Sequence, residues 1–166
     1  MVSEETKNCS DILFGYFNGP ACGFFGMDDG GFSVDVYESG KVIYKTYIFD
    51  QTVKTETEYK ISKDAVIAIR SLMEKYQTNI DSFDDNIDNG SCDGSANFFI
   101  FGGKRIITWN IEYYDENELK KKNPSYYKGY LSAIRQENQI LLIFNAVTEI
   151  LKSSGINLDL SKVRFK

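Results

Sequence analysis

Residues 31–61 read GFSVDVYESGKVIYKTYIFDQTVKTETEYKI, and their two-residue rhythm decides the fold class. Phe32, Val34 and Val36 alternate with Ser33, Asp35 and Tyr37. Glu38-Ser39-Gly40 then turns the chain into a second strand over residues 42–49, the glycine supplying the positive φ that a tight hairpin needs. The third strand is cleaner still. Val53, Thr55, Thr57, Tyr59 and Ile61 fall on one face, and Lys54, Glu56, Glu58 and Lys60 on the other. Such segregation predicts one covered face and one wet face, the pattern of an antiparallel sheet.

Working outward, Ser62 stands where a helix N-cap belongs, with Asp64 in the first turn favouring the dipole. Val66, Ile69, Leu72, Met73, Tyr76 and Ile80 then recur at helical spacing and predict one apolar stripe. Residues 98–101 and 104–111 predict a second hairpin about Gly102-Gly103, in the register that sets Phe99 against Ile106 and Phe98 against Ile107. Apolar groups on both surfaces place that ribbon centrally in the sheet. Asp115 and Glu118 predict a short capped helix through Lys122, stopped by Asn123-Pro124. A long helix is predicted over 132–154, with Ile140, Ile143, Phe144, Val147, Ile150 and Leu151 inside and Gly155 as its left-handed stop. At the other end, residues 12–17 predict a strand closed by the turn-forming Asn18-Gly19-Pro20. In the tail, Ile156, Leu158 and Leu160 alternate as an edge strand would. Strands, a helix, a hairpin and a helix predict an α+β fold: a mostly antiparallel sheet built from hairpins, with two main helices packed on one face. The 166 residues make one domain, with residues 1–10 expected to form a flexible N-terminal segment.

The runs GFSVDVYESGKVIYK, SKDAVIAIRSLMEKY and NFFIFGGKRI, with the final helix, resemble small bacterial domains of unknown function over residues 30–155. The resemblance implies the α+β fold and brings no activity or site residue with it. Many domains of that kind are exported or lipid-anchored. Here Met1-Val2-Ser3-Glu4-Glu5 shows no basic stretch ahead of an apolar run, so a cytoplasmic location is expected. The longest apolar run, residues 140–144, is far too short to cross a bilayer.

The chain contains no histidine. That closes off Ser-His-Asp and Cys-His nucleophile pairs and every metal site requiring a ring nitrogen. Cys9, Cys22 and Cys92 are odd in number and lack C-x-x-C spacing, which argues against a disulfide framework or a thiolate zinc site. Acidic neighbours Asp88 and Asp93 disfavour a reactive Cys92 thiolate. Glycine pairs fall between strands, not at a phosphate-binding strand-to-helix turn. The composition therefore points away from an enzyme and from a bound cofactor.

Charge is unevenly distributed. Residues 1–95 hold 8 Lys and Arg against 17 Asp and Glu, a net of −9, while residues 96–166 hold 11 against 7, a net of +4. An acidic surface able to meet a basic protein partner follows from this asymmetry. Its candidate contact residues are Asp84, Asp85, Asp88 and Asp93 in the 81–95 loop, with Glu56 and Glu58 on the third strand. The first expectation is thus a non-catalytic protein-interaction module, of the immunity or inhibitor kind. The alternative is a small-ligand or cation-binding domain that uses the same loop, or an aromatic cleft near Trp109 and Tyr113. Asp84, Asn86 and Asp88 would be its metal ligands, with calcium as the cation. The EF-hand register fails, since glycine arrives at position seven (Gly90) and position twelve is Ser95. Finally, Tyr113, Tyr114, Tyr126, Tyr127 and Tyr130 interleave with Lys120–Lys122 and Lys128. Glu112, Asp115, Glu116 and Glu118 dilute that field, so a connection pinned by tyrosines is expected and no nucleic acid.

Overall fold

The computed structural model describes residues 11–21, 30–48, 52–91 and 95–158. Cys9, Cys22, Cys92, Asp93 and Leu160 lie outside these residues, as does the N-terminal segment. Seven strands are described, β1 (Ile12–Ala21), β2 (Phe32–Tyr37), β3 (Lys41–Tyr47), β4 (Val53–Lys60), β5 (Asn86–Ile87), β6 (Ser95–Phe101) and β7 (Lys104–Trp109). Four helices accompany them: α1 (Lys63–Lys75), α2 (Gln77–Ser82), α3 (Glu116–Lys122) and α4 (Pro124–Ser153). The strands form one open sheet in the order β4-β3-β2-β1-β6-β7-β5. Every pairing is antiparallel except that of β5 with β7. The protein is an α+β fold with helices packed against a mostly antiparallel sheet.

The predicted hairpins form in register. Val34 faces Tyr44 and Val36 faces Val42 across β2 and β3, with Gly40 at φ +83 in the turn. Phe99 faces Ile106 and Phe98 faces Ile107 across β6 and β7. Ser62 caps α1, its side chain accepting the Ala65 N–H. At the end of α4 the Ile156 N–H reaches the Leu151 carbonyl and the Gly155 N–H that of Lys152. Gly155, at φ +83, closes this helix stop as expected. Phe14, Tyr16, Phe32, Phe99, Phe101 and Phe144 meet between sheet and helices, with Tyr16 and Phe144 ring centres 4.7 Å apart.

Several expectations are corrected. β1 does not stop at Asn18-Gly19-Pro20 but runs to Ala21, past a register shift against β6 between Asn18 and Ala21. The irregularity accommodates a proline that cannot donate to a ladder. β4 segregates its residues as predicted, but the inner face is covered only at its far end: Val53, Thr55 and Thr57 are exposed, Tyr59 is half-buried against the core and Ile61 just beyond is buried. It is an edge strand, and the core reaches only its C-terminal end at Tyr59. The α1 stripe breaks at Tyr76, beyond which α2 carries Ile80 into the core. The Asp-rich segment is not all loop, because Asn86 and Ile87 pair with Ile107 and Thr108. A further helical stretch capped by Asn123 opens at Pro124 and meets the long helix at a break at Tyr130, so the long helix itself starts close to the expected Ser132. Proline suits a first helical position, where its missing N–H costs nothing. The tyrosine-rich stretch is therefore helical, with a kink at Tyr130 next to Gly129.

Candidate functional site

The residues singled out for partner binding sit at opposite edges of the sheet. Glu56 and Glu58 belong to β4, and Asp84, Asp85 and Asp88 flank β5. Six strand spacings separate those edges, about 29 Å. The two sets do not form one surface.

At the β5 edge the carboxylates are exposed but held. Gln136 Nε2 donates to Asp84 Oδ2 at 2.8 Å, while the Asp84 N–H donates to Gln136 Oε1. Lys104 pairs with Asp85 at 2.5 Å, and the Ile107 N–H donates to the Asp85 carbonyl. Asp88 accepts the Gly90 N–H at 2.9 Å. Asp84 and Asp88 are thus engaged separately, Asn86 is held through its strand pairing with Ile107, and no group of three acidic or cysteine residues among the described residues could hold a metal ion. Alongside this edge, the sheet face away from the helices carries Phe17, Phe98, Ile100, Ile107 and Trp109. Phe98 is 38% accessible and the other four are half-buried. Toward β4 the same face turns charged, with Lys45 bridging Glu56 at 2.8 Å.

A second polar site lies inside and was not foreseen. Glu137 of α4 is completely buried. Its Oε1 accepts Asn89 Nδ2 at 2.7 Å and the Thr108 hydroxyl. Its Oε2 is buried without a hydrogen-bond partner among the described residues. Burial, reinforced by the charge of Glu112, pushes this carboxyl up to about 7 despite its two donors. Asn89 also donates to the Trp109 carbonyl, and its own carbonyl accepts Tyr126 OH at 2.9 Å. Tyr114 and Tyr130 flank Tyr126, with ring centres 6.0 and 4.9 Å from it. Burial raises the Tyr114 and Tyr126 phenols, so both stay protonated.

No protein-family model and no curated protein matches the chain.

Glu137 leaves a signal in the sequence. It falls on the same helical stripe as Ile134, Ile140, Leu141 and Phe144, a position where a charge is costly. An inner face drawn only from Ile140 onward passes over it. The expected aromatic cleft was placed near Trp109 and Tyr113. Trp109 does border the buried site through its carbonyl, whereas Tyr113 is exposed. No helix among the described residues is long and apolar enough to span a membrane.

Proposed function

We propose that the protein is a non-catalytic interaction module that docks a basic protein partner at its β5 edge. The observation carrying this reading is that the exposed carboxylates of Asp84, Asp85 and Asp88 are fixed by Gln136, Lys104 and the Gly90 N–H. Charges already held in place need less ordering when a partner arrives. Beside them, Phe98, Ile107 and Trp109 supply the apolar patch that a charged rim surrounds at interfaces. The β4 edge offers Glu56 and Glu58 without a comparable cluster of rings. Immunity and inhibitor proteins, which use acidic surfaces against basic enzymes, are the class this arrangement suits.

The test removes equal charge from each edge. D84N/D85N and E56Q/E58Q are compared with the parent protein for binding to a set of purified small basic proteins, nucleases included, at rising salt. The expected result is salt-sensitive binding to at least one of them. D84N/D85N should weaken it by about tenfold, and E56Q/E58Q by less than about twofold. Equal losses from the two edges, or no binding at low salt, would overturn the proposal.

A further inference from the structure

The Glu137 carboxyl joins three parts of the chain that are distant in sequence. Asn89 lies 48 residues before it and Thr108 29 residues before it. Its two partners are not equally anchored. Thr108 is fully buried within β7, a strand paired on both sides by β6 and β5. Asn89 belongs to a rim turn that follows the two-residue β5, and the next residue, Gly90, has φ +77 and lies against Tyr130.

A charge on Glu137 is opposed by burial and by Glu112 and favoured only by the Thr108 and Asn89 donors. Glu112 faces it from the segment ahead of α3, and Tyr126 and Tyr130 stand on the first turns of α4. The turn contributes Asp88, which is exposed and bonded to Gly90. β7 contributes the Thr108 hydroxyl, while Asn97 of β6 and Tyr16 of β1 lie behind it and bond to each other. No Lys or Arg among the described residues offsets the charge. Oε2, lacking a donor, can be solvated only if something moves.

From this cluster we infer that Glu137 is a proton-operated latch: protonated, it clamps the Asn89 turn onto β7 and α4, and ionised, it releases that turn so that water reaches Oε2. The turn moves because it is the weaker anchorage. The Tyr126 bond to the Asn89 carbonyl and the Asn89 Nδ2 bond to the Trp109 carbonyl give way as the turn opens. Burial sets the carboxyl near 7, so the latch works around neutrality. The turn shares Asp88 and Gly90 with the docking edge, but the inference does not rest on the docking reading and is tested without any partner.

The experiment is backbone amide exchange of Asn89, Gly90 and Ser91 between pH 5 and pH 8, corrected for the intrinsic pH dependence of exchange. Opening of the turn should increase by roughly 50-fold from pH 5 to pH 7 and level off by about pH 8. E137Q should make opening independent of pH. Trp109, the sole tryptophan, gives a second readout by fluorescence. In T108V the carboxylate loses a donor, and the midpoint of that fluorescence change should rise by about one pH unit. Should E137Q fail to fold, T108V still decides the matter. Flat exchange in the parent protein, an unchanged slope in E137Q, or an unmoved midpoint in T108V would each overturn the latch.

Discussion

The inner face of the sheet holds two polar clusters that touch where Asn97 pairs with Thr108 across β6 and β7. In the first, Asn97 Oδ1 accepts Tyr16 OH at 2.8 Å and Asn18 Nδ2 at 3.0 Å, and Asn97 Nδ2 donates to the Ser95 carbonyl. In the second, Glu137 collects two donors on one oxygen and, among the described residues, none on the other. The difference lies in functional-group chemistry. An amide both gives and takes hydrogen bonds, so a few amides can complete a closed network. A carboxylate only accepts, and it gains a donor only by taking up a proton. The first cluster fixes β1 against β6 at any pH, whereas the second responds to pH.

The largest effect expected from this contrast is on stability against pH. The folded-state value for Glu137, about 7, lies above that of an unfolded glutamate. The folded protein therefore binds more protons between the two values. The stability this contributes is complete below the unfolded value and is lost as pH rises through about 7. The loss attributable to this side chain is about 3 kcal/mol. Urea unfolding of the parent protein and E137Q at pH 5 and pH 8 measures it as the change in their stability difference. No such change would mean that Glu137 is already solvated in the folded state. Next in size, N97A strands the Tyr16 hydroxyl and the Asn18 amide in the interior and should cost about 2 kcal/mol at both pH values. A pH-dependent loss there would show the two clusters to be one. The smallest effect is expected for Y16F, about 1 kcal/mol, because Asn18 still serves the Asn97 oxygen. Thermal unfolding suffices to rank these two variants.

Local patterns in the sequence carry much of this architecture. Both hairpin registers follow from alternation and turn glycines, and Ser62 and Gly155 mark helix ends through their capping chemistry. What alternation leaves open is whether a second layer covers the face it defines. β4 has the cleanest pattern in the chain and is exposed on both sides from Val53 to Glu58, while β6, with rings on both sides, is interior. The edge position of β4 is set by pairing between segments far apart in sequence. The Asp81–Ser95 run shows a similar limit, since composition marks it as a loop but the pairing of Asn86 with Ile107 is a tertiary event. The acidic residues at the β5 edge were visible as charge, yet their restraint by Gln136 and Lys104 was not. Glu137 and Asn97 were legible in principle. Each interrupts an apolar series, one on α4 and the other beside Phe99 and Phe101, where a polar side chain has to find partners inside.

The place of β1 in the sheet bears on how the chain comes together. It is the first described strand, yet it fills the centre, with β2 on one side and β6 on the other. Tyr16 and Asn97, bonded across the β1–β6 seam, are 81 residues apart. The β2-β3-β4 meander and the β6–β7 ribbon can each zip up from neighbouring residues, whereas the seam between them requires closing a long loop. On a ribosome, the early aromatic strand must wait with one side unpaired until the chain beyond Phe101 has emerged. Substitutions along this seam should therefore slow refolding more than those in either hairpin.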